Sequence, residues 1–322
     1  MNTTSRILGL DKTMNTTSRI LGEATRPPTE MELTDPEYAY YYAKNTIEGP
    51  FPEGEAAIAT DPEYAYKYAR DIIEGPFPEG EAAIATDPDC ACNYALEVIK
   101  GRWPEGEEAI AMNPQQACGY ARYVIKGRFP EGEATIATSP GWAYHYAKNI
   151  KGRWPEVEAV IATNPQHAYN YAMDVIKGPF PEGESAIATS PGWAYYYAKN
   201  IKGRWPEVEA VIATNPQHAY NYAMYVIKGP FPEGESVIAK DPFSAYYYAM
   251  DVIKDPFPEG EAAIATNPEY AYYYAKYAIK GRFPEGEATI AKDTKYSKEY
   301  LEAFPDAKIE WYAREWIDWT KL

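Results

Sequence analysis

Residues 61–86 read DPEYAYKYARDIIEGPFPEGEAAIAT, a stretch that contains the signals for two short helices. Asp61 can cap the first helix with its side chain, and Pro62 suits the first turn because it lacks the amide hydrogen that this turn leaves unbonded. Apolar residues then recur at helical spacing as far as Ile73. Gly75 follows, and glycine at this place is expected to end a helix by adopting a positive φ. The first half of the stretch therefore predicts a helix of about 12 residues.

The second half of the stretch repeats this punctuation on a smaller scale. Pro78 can open a new helix, and Glu79 and Glu81 lie in its first turn, where the positive end of the helix dipole stabilises carboxylates. Ile84 supplies a buried edge before the next cap begins. We therefore expect a second helix of about 8 residues.

Repetition of this pattern decides the fold. A cap residue followed by proline recurs every 26 residues, with two intervals of 25. Isolated helices shorter than about 12–15 residues are marginal in water, so these helices must pack on one another. A fixed period of this length predicts an all-α fold, a right-handed α-solenoid of ten two-helix repeats over residues 35–292. The ten cap residues are Asp35, Asp61, Asp87, Asn113, Ser139, Asn164, Ser190, Asn215, Asp241 and Asn267.

Small and aromatic residues at fixed places in the repeat are expected to form the core. Alanine occupies the fifth and ninth positions of every repeat, which allows helices to approach closely, and Tyr68 and its equivalents occupy the eighth. The repeats that begin at Ser139 and Ser190 lack one residue in the first helix and carry Val157 and Val208 where the others have the glycine of PEGE. We expect these two changes to compensate for each other in packing.

The two ends of the chain depart from the repeat. Residues 1–34 contain MNTTSRILG at 1–9 and again at 14–22, and we expect this N-terminal segment to be partly disordered or a weak cap. Residues 293–322 are expected to form a C-terminal cap, since a stack of repeats must end without an exposed apolar face. Within that segment Ile309, Trp311 and Trp316 fit a longer amphipathic capping helix.

Charge and composition narrow the classes of partner. The net charge of −16 repels phosphate backbones and anionic lipids, which disfavours nucleic acid and membrane surfaces and favours a basic or neutral protein or peptide. Lysine and arginine do gather at the ends of the first helices, for example at Lys100 and Arg102, where they complement the helix dipole. The sequence shows neither a signal peptide nor an apolar run long enough to span a bilayer, so we expect a cytoplasmic protein.

Side chains with catalytic or metal-binding chemistry are sparse. Cys90, Cys92 and Cys118 form no even disulfide framework and no CxxC pair, and the histidines lie on separate repeats. The two glutamates of each PEGE do not share a helix face, and the dipole already explains them. We therefore expect no enzyme activity, no catalytic residues, no bound metal and no cofactor.

The fourth, seventh and eleventh positions of the first helix share one face, and here the repeats differ from one another. Tyr, Trp, His and Asn predominate, side chains that make contacts at low entropic cost, so the face is interpreted as a binding surface rather than as unselected drift on a solvated face. We call the following residues the aromatic stripe: Tyr38, Tyr41, Tyr64, Tyr123, Trp142, His145, His167, Asn170, Trp193, Tyr196, His218, Asn221, Tyr225, Tyr247, Tyr270, Tyr273 and Tyr277.

Units of the form DPEYAYYYAK and IKGRFPEGEAAIA resemble the tandem short α-helical repeats of bacteriophage and bacterial proteins. The cap-Pro-x-x-Ala layout is also distantly similar to leucine-rich-variant and HEAT-like solenoids. The resemblance covers residues 35–292 and implies a solenoid, but it brings no catalytic or binding residue with it. The phage association implies a role in countering host defence, by analogy alone.

Three functional interpretations follow from the sequence. The first is a non-catalytic scaffold that binds a protein or peptide along the aromatic stripe. The second is a phage-type anti-defence inhibitor whose acidic surface mimics nucleic acid and occupies a host nuclease or sensor. The third is self-association through the solenoid ends into a structural filament.

Overall fold

Each repeat is a pair of helices, and the first helix of the pair is built in two halves. The structure is a computed structural model that describes residues 28–307 and 309. The chain forms two units, residues 1–161 and 162–322, and each is described by itself. No strand lies between residues 28 and 307, which confirms the all-helical prediction. Within each unit the first helix packs on its own second helix and on the first helix of the next repeat, the regular contacts of a solenoid.

The first unit contains five helix pairs. A short 3₁₀ turn, Glu32–Thr34, precedes them. The α-helical halves of the first helices are Pro36–Tyr42, Pro62–Tyr68, Pro88–Asn93, Pro114–Gly119 and Pro140–Tyr146. Their π-helical halves are Ala43–Ile47, Ala69–Ile73, Tyr94–Ile99, Tyr120–Ile125 and Ala147–Lys151. The second helices are Pro52–Ile58, Pro78–Ile84, Glu107–Ala111 after the 3₁₀ turn Pro104–Gly106, Pro130–Ile136 and Pro155–Ile161.

The second unit repeats this arrangement. The α-helical halves are Pro165–Tyr171, Pro191–Tyr197, Pro216–Tyr222, Pro242–Tyr247 and Pro268–Tyr274, and a last helix, Thr294–Ala303, follows. The π-helical halves are Ala172–Ile176, Ala198–Lys202, Ala223–Ile227, Tyr248–Ile253 and Ala275–Ile279. The second helices are Pro181–Ile187, Glu209–Ile212 after the 3₁₀ turn Pro206–Val208, Pro232–Ile238, Glu261–Ile264 after the 3₁₀ turn Pro258–Gly260, and Pro284–Ile290.

The predicted start of each first helix is confirmed, and its predicted end is wrong. The Asp61 carboxylate accepts the amides of Glu63 and Tyr64, as a cap should. At the other end the left-handed residue is Glu74, with φ 56°, and not Gly75. The amide of Glu74 donates to the Ala69 carbonyl and closes a π turn, and the left-handed residue is the one that makes this bond. Other non-glycine residues in this conformation are Glu48, Lys100, Lys126, Lys177, Lys228, Lys254 and Lys280.

The glycine of PEGE gives room for an aromatic ring. A Cβ built on Gly80 would lie 2.6 Å from Phe77 Cδ1 and 2.8 Å from the Cβ of Ala65 on the first helix. Because both neighbours are buried, a side chain at this place would overpack the core. The paired alanines face this interior as predicted, since Ala65, Ala69 and the alanines at the corresponding places in the other described first helices are all 0% exposed.

The eighth-position tyrosine ties each repeat to the one before it. The hydroxyl of Tyr197 accepts the backbone amide of Phe180 at 2.7 Å and donates to Glu184 at 3.1 Å. Both partners belong to the preceding repeat, and the tyrosine ring is 0% exposed. We call the residues that make this pair of bonds the seam tyrosines. They are Tyr68, Tyr94, Tyr120, Tyr146, Tyr197, Tyr222, Tyr248, Tyr274 and Tyr300.

The glutamate at this seam also pairs with arginine from its own repeat. Arg102 Nε lies 2.6 Å from Glu107 Oε1 and holds the pKa of that carboxyl below its ordinary value. The same pairing occurs at Arg282 and Glu287. The other arginines that pair in this way are Arg128, Arg153 and Arg204.

The two shortened repeats end their first helices differently. Loss of one residue puts Gly152 and Gly203 at the turn that Lys177 and its equivalents occupy elsewhere. Their φ and ψ of about +80° and −155° lie in a region open almost only to glycine. Val157 and Val208 of these repeats are buried, 2% exposed each. The caps Ser139 and Ser190 make no side-chain hydrogen bond to the helix, unlike Asp61.

Gly203→Ala is expected to lower the free energy of unfolding by about 1–3 kcal/mol, since alanine cannot adopt this backbone conformation without strain. Gly229→Ala in the next repeat is the matched control. Its Cβ would meet nothing within 4 Å and its φ is ordinary, so a change of about 0.5 kcal/mol or less is expected. Urea unfolding followed by circular dichroism compares the two, and equal losses would contradict this account of the shortened repeats.

Local hydrogen bonds satisfy polar groups at both ends of the described residues. At the start, Glu32 is buried and accepts the amide and the hydroxyl of Thr29. At the other end, the amide of Phe304 donates to the Tyr300 carbonyl at 2.8 Å, so it needs no tyrosine from a following repeat. Residues 1–27 of the segment 1–34, predicted to be partly disordered or a weak cap, lie outside the described residues, as do the predicted capping side chains Trp311 and Trp316.

Candidate binding surface

The aromatic stripe lies on the first helices, and its members differ in exposure. Tyr38 is the exception, because its side chain is only 5% exposed and packs in the core instead of offering a surface. His145 and four tyrosines are well exposed: Tyr123 (55%), Tyr196 (43%), Tyr225 (45%) and Tyr277 (48%). The half-buried members are Tyr41, Tyr64, Trp142, His167, Asn170, Trp193, His218, Asn221, Tyr247, Tyr270 and Tyr273.

The sixth position, which sequence reasoning did not single out, links the stripe from one repeat to the next. The Tyr40 hydroxyl donates to Asp71 at 2.7 Å, and Tyr66 donates to Glu97 at 2.6 Å. Each acceptor is the eleventh-position residue of the following repeat. In other repeats the eleventh residue is a tyrosine instead of an acid, at Tyr123, Tyr225 and Tyr277. The spacing of 31 residues between tyrosine and carboxylate was the signal in the sequence.

Part of the variation along the stripe is therefore structural. Tyr220 donates to Asp251 at 2.8 Å, and the Asn200 amide donates to Tyr169 at 2.8 Å. These eleventh positions serve the contact between repeats. The exposed rings, which lie at seventh and eleventh positions, make no such hydrogen bond to a neighbouring repeat, and they are the better candidates for contact with a partner.

Aromatic rings touch from repeat to repeat in the second unit. Trp193 lies 5.3 Å from Tyr169, centroid to centroid, and Tyr270 stacks on Tyr246 at 5.3 Å. Phe243, a third-position residue missed by the sequence analysis, lies 4.6 Å from Tyr247. We call the well-exposed apolar side chains of this unit the exposed face. They are Met173, Tyr196, Tyr225, Phe243 and Tyr277, and all five lie on first helices.

The first unit carries a different surface. Residues 35–112 hold 17 acidic and 5 basic side chains, a net charge of −12 out of the −16 of the whole chain. A cavity of 440 Å³ lies between the first helices that begin at Pro62 and Pro88. It is lined by Asp61, Pro62, Glu63, Tyr66, Lys67, Asp87, Asp89, Cys90 and Asn93.

Burial disfavours the charged form of the cysteines and of His218 among the described residues. Burial raises the pKa of Cys90 to about 12 and those of Cys92 and Cys118 to about 11, which makes their thiolates scarce at neutral pH. Burial also lowers the pKa of His218, whose Nδ1 makes no hydrogen bond. Among residues 28–307 and 309, no three His, Cys, Asp or Glu side chains are grouped so that they could hold a metal ion.

Comparisons with known proteins leave the geometry as the guide to function. No protein-family model, curated protein or solved structure matches the chain. In the part of the chain that the structure describes, no helix is both long enough and apolar enough to cross a bilayer.

Proposed function

We propose that the protein is a non-catalytic scaffold that binds a protein or peptide along the aromatic stripe. The observation that carries this proposal is the exposed face of the second unit. Monomeric proteins seldom leave large apolar side chains side by side in water unless the patch serves an interaction. Here Tyr196, Tyr225 and Phe243 are 43%, 45% and 37% exposed. Other rings of the first helices contact each other between repeats, as Tyr220 and Tyr247 do at 6.3 Å.

The paired arginines also favour a protein partner over nucleic acid. Arg102, Arg204 and Arg282 each lie within 2.8 Å of a seam glutamate, so their charge is already compensated. A phosphate backbone would have to compete with these ion pairs and with the acidic surroundings.

Replacing exposed rings is expected to weaken capture of the partner. Tyr196→Ala with Tyr225→Ala should reduce recovery of the partner from a lysate of the native host by about tenfold or more, because exposed aromatic anchors supply much of the energy of an interface. Trp193→Ala is expected to act in the same direction, although its ring also packs on Tyr169. Met112→Ala, which removes a 69% exposed side chain of the first unit outside the stripe, is the control for surface change alone. Unchanged capture by the double variant, with native helicity, would refute the proposal.

The acidic first unit supports a second candidate, an inhibitor that mimics nucleic acid and occupies a basic host protein. Its support is the net charge of −12 within residues 35–112. Glu48 and Glu74 add to it, because they occupy left-handed helix ends where most other repeats have lysine, which the helix dipole prefers. Binding that falls steeply with salt and is insensitive to ring variants would favour this candidate.

The remaining expectations from the sequence stay predictions. They are the right-handed superhelix, the count of ten repeats, the kinship with bacteriophage and bacterial repeat proteins, and the cytoplasmic location. Filament formation through the ends also stays a prediction.

A further inference from the structure

We propose that the exposed face binds a proline-rich segment in the polyproline II conformation, with arginine or lysine beside the prolines. This inference rests on the proposed function and names the chemistry of the partner. Polyproline II segments dock on grooves lined by aromatic side chains, because the preformed helix loses little entropy on binding.

The chemistry of the surface matches such a segment. The rings of the exposed face offer flat apolar contacts, and its three tyrosine hydroxyls offer hydrogen-bond donors. A proline has no amide hydrogen, so a proline-rich segment presents mainly carbonyl acceptors. Tyr196, Tyr225 and Tyr277 bring a ring and a hydroxyl to the surface together.

The spacing also matches. First helices of neighbouring repeats are in contact, and helices in contact lie about 8–10 Å apart. Polyproline II has three residues per turn and advances about 9.3 Å per turn. One turn of the segment therefore corresponds to one repeat, and the five first helices of the second unit would hold about five turns, or about 15 residues.

Charge complementarity favours basic residues in the partner. Residues 162–292 carry 15 acidic and 11 basic side chains, a net charge of −4. Asp251 is exposed on the first helix that carries Phe243, and Glu269 is exposed on the first helix that carries Tyr277. The lysines on this side are directed at tyrosine rings, with Lys199 Nζ 4.1 Å from the ring centre of Tyr225.

A synthetic peptide tests the proposal. The probe has about five Pro-Pro-Leu turns with an arginine at each end, and the control peptide has Gly-Ser in place of the prolines with the same arginines. Calorimetry on the full chain is expected to show binding at least tenfold tighter for the proline peptide, with affinity rising as turns are added. Tyr196→Ala and Phe243→Ala are each expected to weaken binding about tenfold. Met112→Ala, which removes a 69% exposed side chain outside the stripe, is expected to leave it unchanged.

The contrary results are distinct. Equal affinity for the two peptides, or affinity that ignores the ring variants, would overturn the inference. If the ring variants still abolish capture of a native partner while the proline peptide fails to bind, the proposed function stands and only the proline-rich partner is wrong. If the ring variants change neither capture of the native partner nor binding of the proline peptide, the proposed function and the proline-rich partner are both wrong.

Discussion

Tyr197→Ala is expected to lower the free energy of unfolding by about 3–5 kcal/mol, the range for removing a fully buried aromatic ring. The loss should be large because the ring fills the space between two repeats and its hydroxyl serves two polar groups there. In a repeat protein each repeat depends on its neighbours, so one damaged seam should weaken the cooperativity of the unit that contains it.

Two further variants separate the hydroxyl from the ring. Tyr197→Phe keeps the ring but leaves the Phe180 amide buried without an acceptor, which should cost about 1–3 kcal/mol. Tyr196→Ala removes the adjacent, 43% exposed ring and should cost about 1 kcal/mol or less. Thermal and urea unfolding of the three variants give the comparison. A loss for Tyr196→Ala equal to that for Tyr197→Ala would show that position 197 has no special place between the repeats.

Raising the pH above 10 is expected to unfold the chain. Burial raises the pKa of Tyr146, Tyr197, Tyr222 and Tyr300 to about 12, and it raises the pKa of the other seam tyrosines as well. Below pH 10 these hydroxyls are protonated in both the folded and the unfolded chain, so their contribution to stability is complete. Between pH 10 and about 12 the unfolded chain loses protons that the folded chain keeps, so the free energy of unfolding decreases. Each seam tyrosine adds to this decrease.

The measurement follows tyrosinate absorbance and helicity together during an alkaline titration. We expect a cooperative loss of helicity between pH 10 and 12, accompanied by the rise in tyrosinate from the buried rings. Tyr197→Phe supplies the control, because it removes one of these titrating groups and should reduce the pH dependence in this window. Full ionisation of all tyrosines with helicity retained would contradict the burial of the seam.

Local signals in the sequence were sufficient for the helix pairs. Asp61 and Pro62 mark a helix start by chemistry that needs no tertiary contact, and the paired alanines follow from the need for close packing. The end of the first helix could not be predicted in the same way. Glycine is the residue that most often adopts the left-handed conformation at the end of a helix. Here the π-helical half ends at Glu74, which adopts this conformation instead, and the local sequence does not indicate a π-helical turn.

The sequence indicates which helix face carries the candidate surface, but it does not indicate how buried each side chain on that face is. The periodicity located the stripe on one side of the first helix, but it could not tell Tyr38, which is buried, from Tyr196, which is exposed. It also missed Tyr66 and its bond to Glu97, because a partner 31 residues away becomes a neighbour only when repeats stack. Contacts between repeats thus account for some of the variation that sequence alone assigned to recognition.

The central claim is that the seam tyrosines hold successive repeats together, while the exposed rings of the stripe, such as Tyr196 and Tyr225, are available to a partner. Native-state hydrogen exchange of the backbone amides bonded to the seam tests it most directly. We expect the amides of Phe180, Trp205 and Phe231 to exchange only through opening of the stack, far more slowly than amides at the helix ends. Exchange of these amides at the rate of solvent-exposed loop amides would contradict the claim.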